Sequence, residues 1–120
     1  MQQVRLSGTI ERLESRYPYR VRVLVIKTDK EIELEIEVPE KLIEEADLDL
    51  KEGARVDIVL SQEKSREVLE SEIAYSGEVY KVRDKEVLIS FGGILAKLSG
   101  DLPAWLREGV RVYLGLKVPH

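Results

Sequence analysis

Cysteine is absent from this chain, which excludes a disulfide framework and any cysteine-ligated zinc or iron–sulfur centre. Histidine occurs once, at the last position. A solvated terminal imidazole at His120 supplies neither a metal-ligand set nor a placed general base. No apolar run approaches the roughly 18 residues needed to span a bilayer, and Met1-Gln2-Gln3-Val4-Arg5 has no signal-peptide character. The expected compartment is the cytosol, with no membrane partner. There is no phosphate-cradling glycine loop and no nucleophile set beside a base. The expectation is a chain with no enzymatic activity, no catalytic residue, no cofactor, no metal and no small-molecule substrate. Asparagine is also missing, and methionine occurs once.

Charge is what the chain has in abundance. Asp, Glu, Lys and Arg make up 35% of the residues, yet the formal net charge is only -4. Mixed charges of this kind serve solubility, and an acidic balance works against non-specific nucleic-acid binding. Abundant Glu, Lys and Arg without Asn or Cys is the composition of a protein adapted to high temperature. The 120 residues suffice for one domain, or for two small units that share a core.

Alternation of apolar and polar residues predicts strands along most of the chain. Val4 to Glu14 is the first, interrupted by Gly8, which marks a bulge or tight coil. Arg20 to Thr28 has both faces apolar in part. Glu31 to Val38 alternates Ile32, Leu34, Ile36 and Val38 against four glutamates, a face expected in solvent that resists edge association. Pro39 to Ala46 predicts a short helical turn, Arg55 to Ser61 a strand, and residues 62–70 a polar connector with room for a helical turn. The second half repeats the scheme: Ser71 to Val82 broken by Gly77, Glu86 to Phe91, Ile94 to Ser99, a loop near Trp105, and Arg111 to Val118. Gly92-Gly93 between two apolar runs requests a sharp chain reversal.

The halves resemble one another. Leu50-Lys51-Glu52-Gly53-Ala54-Arg55-Val56 overlays Leu106-Arg107-Glu108-Gly109-Val110-Arg111-Val112, and Ser7-Gly8-Thr9-Ile10 echoes Ser76-Gly77-Glu78-Val79. Four short strands bury too little alone, so residues 4–61 and 71–118 are expected to close on one another. The predicted fold is all-β, an eight-stranded antiparallel OB-like barrel spanning residues 1–120, with one or two helical turns. A sandwich is the alternative architecture.

An ordered string of motifs in the second half carries a family resemblance. Tyr75, Gly77, Val79 and Tyr80 are followed by Ser90-Phe91-Gly92-Gly93-Ile94-Leu95, then Leu98-Ser99-Gly100-Asp101, then Arg111-Val112-Tyr113-Leu114. This string resembles RNA polymerase subunit 8, a small subunit shared by archaeal and eukaryotic DNA-directed RNA polymerases. The long acidic insertion of eukaryotic members is absent, which is similar to the archaeal form. The resemblance implies a non-catalytic subunit that docks on the largest polymerase subunit and supports assembly for transcription. The residues it offers as interface are Tyr75, Tyr80, Phe91, Gly92, Gly93, Gly100, Asp101, Trp105 and Tyr113. Core or rim packing is the competing role for each aromatic. An OB-like barrel also suggests a module for single-stranded nucleic acid, with aromatics for stacking and Arg16, Arg20 and Arg22 for phosphate. The net charge predicts that any such contact is weak, and pairing of those arginines with neighbouring glutamates would cancel the patch.

Overall fold

The strands close on themselves. A computed structural model describes residues 2–16 and 18–119; His120 and its expected solvated end lie outside the described residues, as does Tyr17. The elements are β1 (Gln3–Arg16), β2 (Val21–Thr28), β3 (Glu33–Pro39), α1 (Glu40–Glu45), β4 (Arg55–Ser61), α2 (Arg66–Leu69), β5 (Ile73–Arg83), β6 (Glu86–Phe91), β7 (Ile94–Ser99) and β8 (Arg111–Lys117). All pairings are antiparallel, in the closed order β1-β2-β3-β7-β6-β5-β8-β4. This is the eight-stranded OB-like barrel expected, and the sandwich is excluded by its closure.

Inward side chains fill the barrel. Leu24, Ile26, Leu34, Ile36, Leu98 and Leu114 are all fully buried. Each half adds a plug: Leu42, Leu48 and Leu50 from the first, Leu102, Trp105 and Leu106 from the second, all packed on this core. The connector carries a helical turn, as its reading allowed. Ser65 caps α2 by accepting the Val68 amide at 3.3 Å, and Val68 is buried.

Two strand boundaries move for local reasons. β1 runs on to Arg16 because it stays paired with β2 as far as Arg16↔Val21. β3 begins at Glu33 because a turn occupies Asp29 to Glu31, locked when Thr28 Oγ1 donates to the Ile32 carbonyl at 2.6 Å. The glutamate face of β3 also departs from expectation. β3 is an internal strand between β2 and β7, Glu35 pairs with Lys97 at 3.2 Å, and the Glu37 side chain is only 17% exposed.

The two halves are related by a two-fold, and the registers prove it residue by residue. Gly8 lies opposite Val56, and Gly77 lies opposite Val112. β1 shifts register between Ile10 and Arg12, and β5 between Val79 and Lys81, so the bulge residues Glu11 and Tyr80 are equivalent. Ile10 donates to Ala54 O and accepts from Gly53 N at 2.9 and 2.8 Å; Val79 does the same with Val110 and Gly109 at 3.0 and 2.8 Å. The same correspondence pairs Glu33 with Leu95, Glu35 with Lys97 and Val59 with Gly115. The axis therefore passes through Val59↔Gly115 on one side and Glu35↔Lys97 on the other, where equivalent residues face one another directly.

Candidate interaction surface

The nine residues singled out from sequence do not form one surface. Tyr75 and Phe91 are 8% and 5% exposed and stack on each other inside the barrel, ring centroids 5.3 Å apart. Their place as interface residues is corrected: they belong to the core. Gly100 is half-buried, and the close approach it permits is to the chain itself, since a Cβ there would meet the Glu31 carbonyl oxygen at 2.8 Å. Gly92 and Gly93 have open space around them, and their φ angles of +65° and +101° are what require glycine; they build a tight hairpin. Gly115, beside Tyr113, does admit a close neighbour, but the neighbour is the chain's own Ser71. Trp105 is half-buried against the core, Tyr113 is half-buried on β8 between Ser61 and Ser76, and Asp101 is exposed. Tyr80 alone of the aromatics in this set is open to solvent, 47% exposed.

Tyr80 is exposed because of where the bulge puts it. Beyond Val79, β5 has left β8 and pairs only with β6; on its free side the Val82 amide donates to Glu108 Oε1 at 3.1 Å. Tyr80 then lies over a groove of about 150 Å³ lined also by Leu88, Leu95, Lys97, Arg16 and Glu37. Leu95 is 43% exposed and Val82 is 41% exposed. Tyr80 and Leu95 are therefore an exposed apolar pair on the outside of the barrel, whereas Val82, opposite the buried Val87, borders a separate cleft.

At the end of the groove the β3–β7 seam is open. On one side of the axis Glu33 pairs with Ser99, yet the equivalent pairing of Glu37 with Leu95 is missing. Side chains satisfy the released backbone groups instead. Tyr75 OH donates to the Glu37 carbonyl at 3.1 Å, and the Glu37 carboxylate accepts the Leu95 amide at 2.7 Å while holding the Arg16 guanidinium at 2.9 Å. Every backbone group freed by opening a sheet must find a partner, and these two side chains provide it. The opening makes room for the groove.

Burial, and secondarily the Glu37 carboxylate, push the Tyr75 phenol far above its ordinary value of 10.0. A raised folded-state value means that this contribution is intact below pH 10 and is lost as pH rises beyond it. The expected outcome is a two-stage phenolate absorbance titration whose second stage coincides with alkaline unfolding. Tyr75→Phe should remove that second stage and cost about 1 kcal/mol at neutral pH, because the Glu37 carbonyl loses its donor.

The basic cluster expected near the first turn is cancelled in part. Arg16 is bound to Glu37 at 2.9 Å and Arg22 faces Glu40 at 3.8 Å. Among the described residues no group of three or more acidic or histidine side chains is arranged to hold a metal, and no helix is long and apolar enough to cross a membrane.

Across the two-fold, the patch has no counterpart. Where the second half carries Tyr80 and Leu95, the first carries Glu11 and Glu33, with Glu11 paired to Lys27 at 3.8 Å. The same barrel geometry is built with acids at those positions, so packing does not demand the tyrosine and leucine. Leu95, Leu88 and Glu37 escaped the sequence reading because loops of different length separate the strands in the two halves. Only the register aligns them.

No protein-family model and no curated protein matches the chain. Among solved structures it is similar to the cytoplasmic molybdate-binding protein ModG in a crystal form grown from polyethylene glycol with molybdate bound. The identity is 16% and the TM-score 0.41, covering 97% of this chain and 96% of that one.

Proposed function

We propose that this protein is a non-catalytic structural subunit of a DNA-directed RNA polymerase of the archaeal type, docking on the largest subunit through the second half of its barrel. The observation that carries the docking face is the apolar pair Tyr80 and Leu95, exposed where the equivalent positions of the first half are Glu11 and Glu33. Exposed apolar residues that the fold does not require mark a surface meant to be covered, and an aromatic at its centre is the anchor that interfaces use most. The motif string from Tyr75 to Leu114 supports the choice of partner. Its buried members shape the barrel that presents the patch, and Tyr80 and Leu95 are its large apolar members open to solvent.

The test is association of the purified chain with the largest polymerase subunit. Tyr80→Ser combined with Leu95→Ser should weaken binding by about 10- to 100-fold while leaving thermal unfolding within a few degrees of wild type. Glu11→Ser combined with Glu33→Ser, the same change on the other side of the axis, should leave binding intact. Nucleotide addition by a reconstituted polymerase should keep its chemistry in either case. A folded wild-type chain that does not bind the largest subunit at micromolar concentration would overturn the assignment.

A further inference from the structure

The two-fold calls for a backbone pair that the barrel does not make. Glu33 pairs with Ser99 on one side of the axis, and the equivalent pair of Glu37 with Leu95 is missing on the other. The residues that intercept it are the ones that differ between the two sides. Ser99 is equivalent to Glu37 and Leu6 to Tyr75, as the registers about Glu35↔Lys97, Leu6↔Ile58 and Tyr75↔Leu114 require. Leu6 and Tyr75 are both buried, but only the tyrosine has a hydroxyl to donate, and it donates to the Glu37 carbonyl at 3.1 Å. Glutamate reaches further than serine, and Glu37 Oε1 accepts the Leu95 amide at 2.7 Å while Oε2 is held by Arg16 at 2.9 Å. One plug from inside the barrel and one from outside thus occupy the groups that a continued ladder would join.

The closed arrangement is available to this fold, because the other side of the axis adopts it. Opening gains little in hydrogen bonding, since side-chain partners replace backbone ones, and it orders a Glu37 side chain that a closed seam would leave free. What the opening provides is the groove. Its lining includes Ile36 and Ala96, the last pair before the seam parts, together with Tyr80, Leu88 and Leu95. A space of about 150 Å³ is the size that admits one benzene-sized group. The charges at its mouth are paired within the chain, Arg16 with Glu37 and Lys97 with Glu35, which leaves the groove to an uncharged, apolar side chain.

We infer that Tyr75 and Glu37 are positioning residues of the docking face, holding the β3–β7 seam open so that the groove beside Leu95 admits one apolar side chain of the partner. Tyr75 acts from the core, and Glu37 acts through the Leu95 amide. This inference rests on the docking proposed above.

The experiment compares the full wild-type chain with the double variant Tyr75→Phe/Glu37→Ser, which removes both plugs. Nuclear magnetic resonance should show backbone contacts across positions 37 and 95 that wild type lacks, and binding to the largest polymerase subunit should weaken at least about tenfold. Because the two freed groups then satisfy each other, the double variant should unfold at a urea midpoint no lower than that of either single variant. Losses that simply add would overturn the inference, since the seam would then have stayed open. A closed double variant that binds as tightly as wild type would overturn it too, while the docking assignment stands. Absence of binding by wild type overturns both. Should the double variant not fold, Glu37→Ser and Glu37→Gln decide. Serine should speed hydrogen exchange at the Leu95 amide and weaken binding, and glutamine, which keeps an acceptor, should restore both; equal binding by the two overturns the inference.

Discussion

A fragment that ends at Gln62 is expected to show no cooperative unfolding transition and no protected amides in hydrogen exchange. The first half alone would expose both β3 and β4 as free edges, since β3 is completed by β7 and β4 by β8. It would also expose the inner faces of Leu6, Ile10, Leu24, Ile26, Leu34, Ile36 and Ile58, all buried in the closed barrel. Burying apolar area at roughly 25 cal/mol per Å² is the main term that offsets chain entropy, and four strands around an open trough bury only one side of each inner residue. The whole chain, by contrast, should unfold as one cooperative unit. Mixing fragments 1–70 and 71–120 should restore the cooperative transition, because the missing edges are then supplied in trans. A 1–62 fragment with a sharp thermal transition of its own would show that the two halves are separate domains.

Gly77→Ala is expected to be the most damaging single methyl that can be added to this protein, lowering stability by at least about 3 kcal/mol. A Cβ at Gly77 would lie inside van der Waals contact of the Ser90 carbonyl oxygen and 2.6 Å from Phe91 Cδ1. The obstacle is backbone of the paired strand, which cannot move without breaking the β5–β6 ladder at Glu78↔Ser90. Gly8 occupies the equivalent place, where a Cβ would meet the Lys27 carbonyl at 2.6 Å; Gly8→Ala should follow the same direction with a smaller loss. Gly92→Ala offers the contrast. Nothing lies within 4 Å of a Cβ there, and only the φ of +65° opposes the change, which is worth about 1 to 2 kcal/mol. Urea unfolding of the three variants should rank them Gly77, Gly8, Gly92. An order with Gly92→Ala as the worst would mean that the double glycine, and not strand coiling, is what closes the barrel.

The two strand glycines also explain why a barrel forms in place of a sandwich. Each sits just before the bulge of its strand, where β1 and β5 bend from one neighbour toward the next. Close approach of a facing carbonyl at that bend is possible only without a side chain. Alternation alone predicts strands and an apolar face; it is satisfied equally by sheets that stack and by a sheet that closes.

Much of the chain was legible in its sequence. Alternation placed eight strands near their observed positions, with β4, β6 and β7 at the bounds found, because inward residues such as Ile58, Ile89 and Leu98 recur strictly at every second place. The Ser-Gly and Glu-Gly echoes revealed two similar halves, because bulge and turn chemistry tolerate few residues. What depended on tertiary structure was the identity of the surface. Gly100 read as an interface position until the fold brought Glu31 against it. Tyr75 and Tyr80 are separated by one bulge and look alike as sequence, yet one donates a hydrogen bond inside the barrel and the other lies on its outside. The comparison of Glu11 with Tyr80, Glu33 with Leu95 and Ser99 with Glu37 required the strand registers, because the loops between these residues differ in length from half to half. Local periodicity is carried by neighbours along the chain and can be read there. A surface is made by residues that only closure brings together, and its meaning here lies in a difference between two places that only the two-fold makes equivalent.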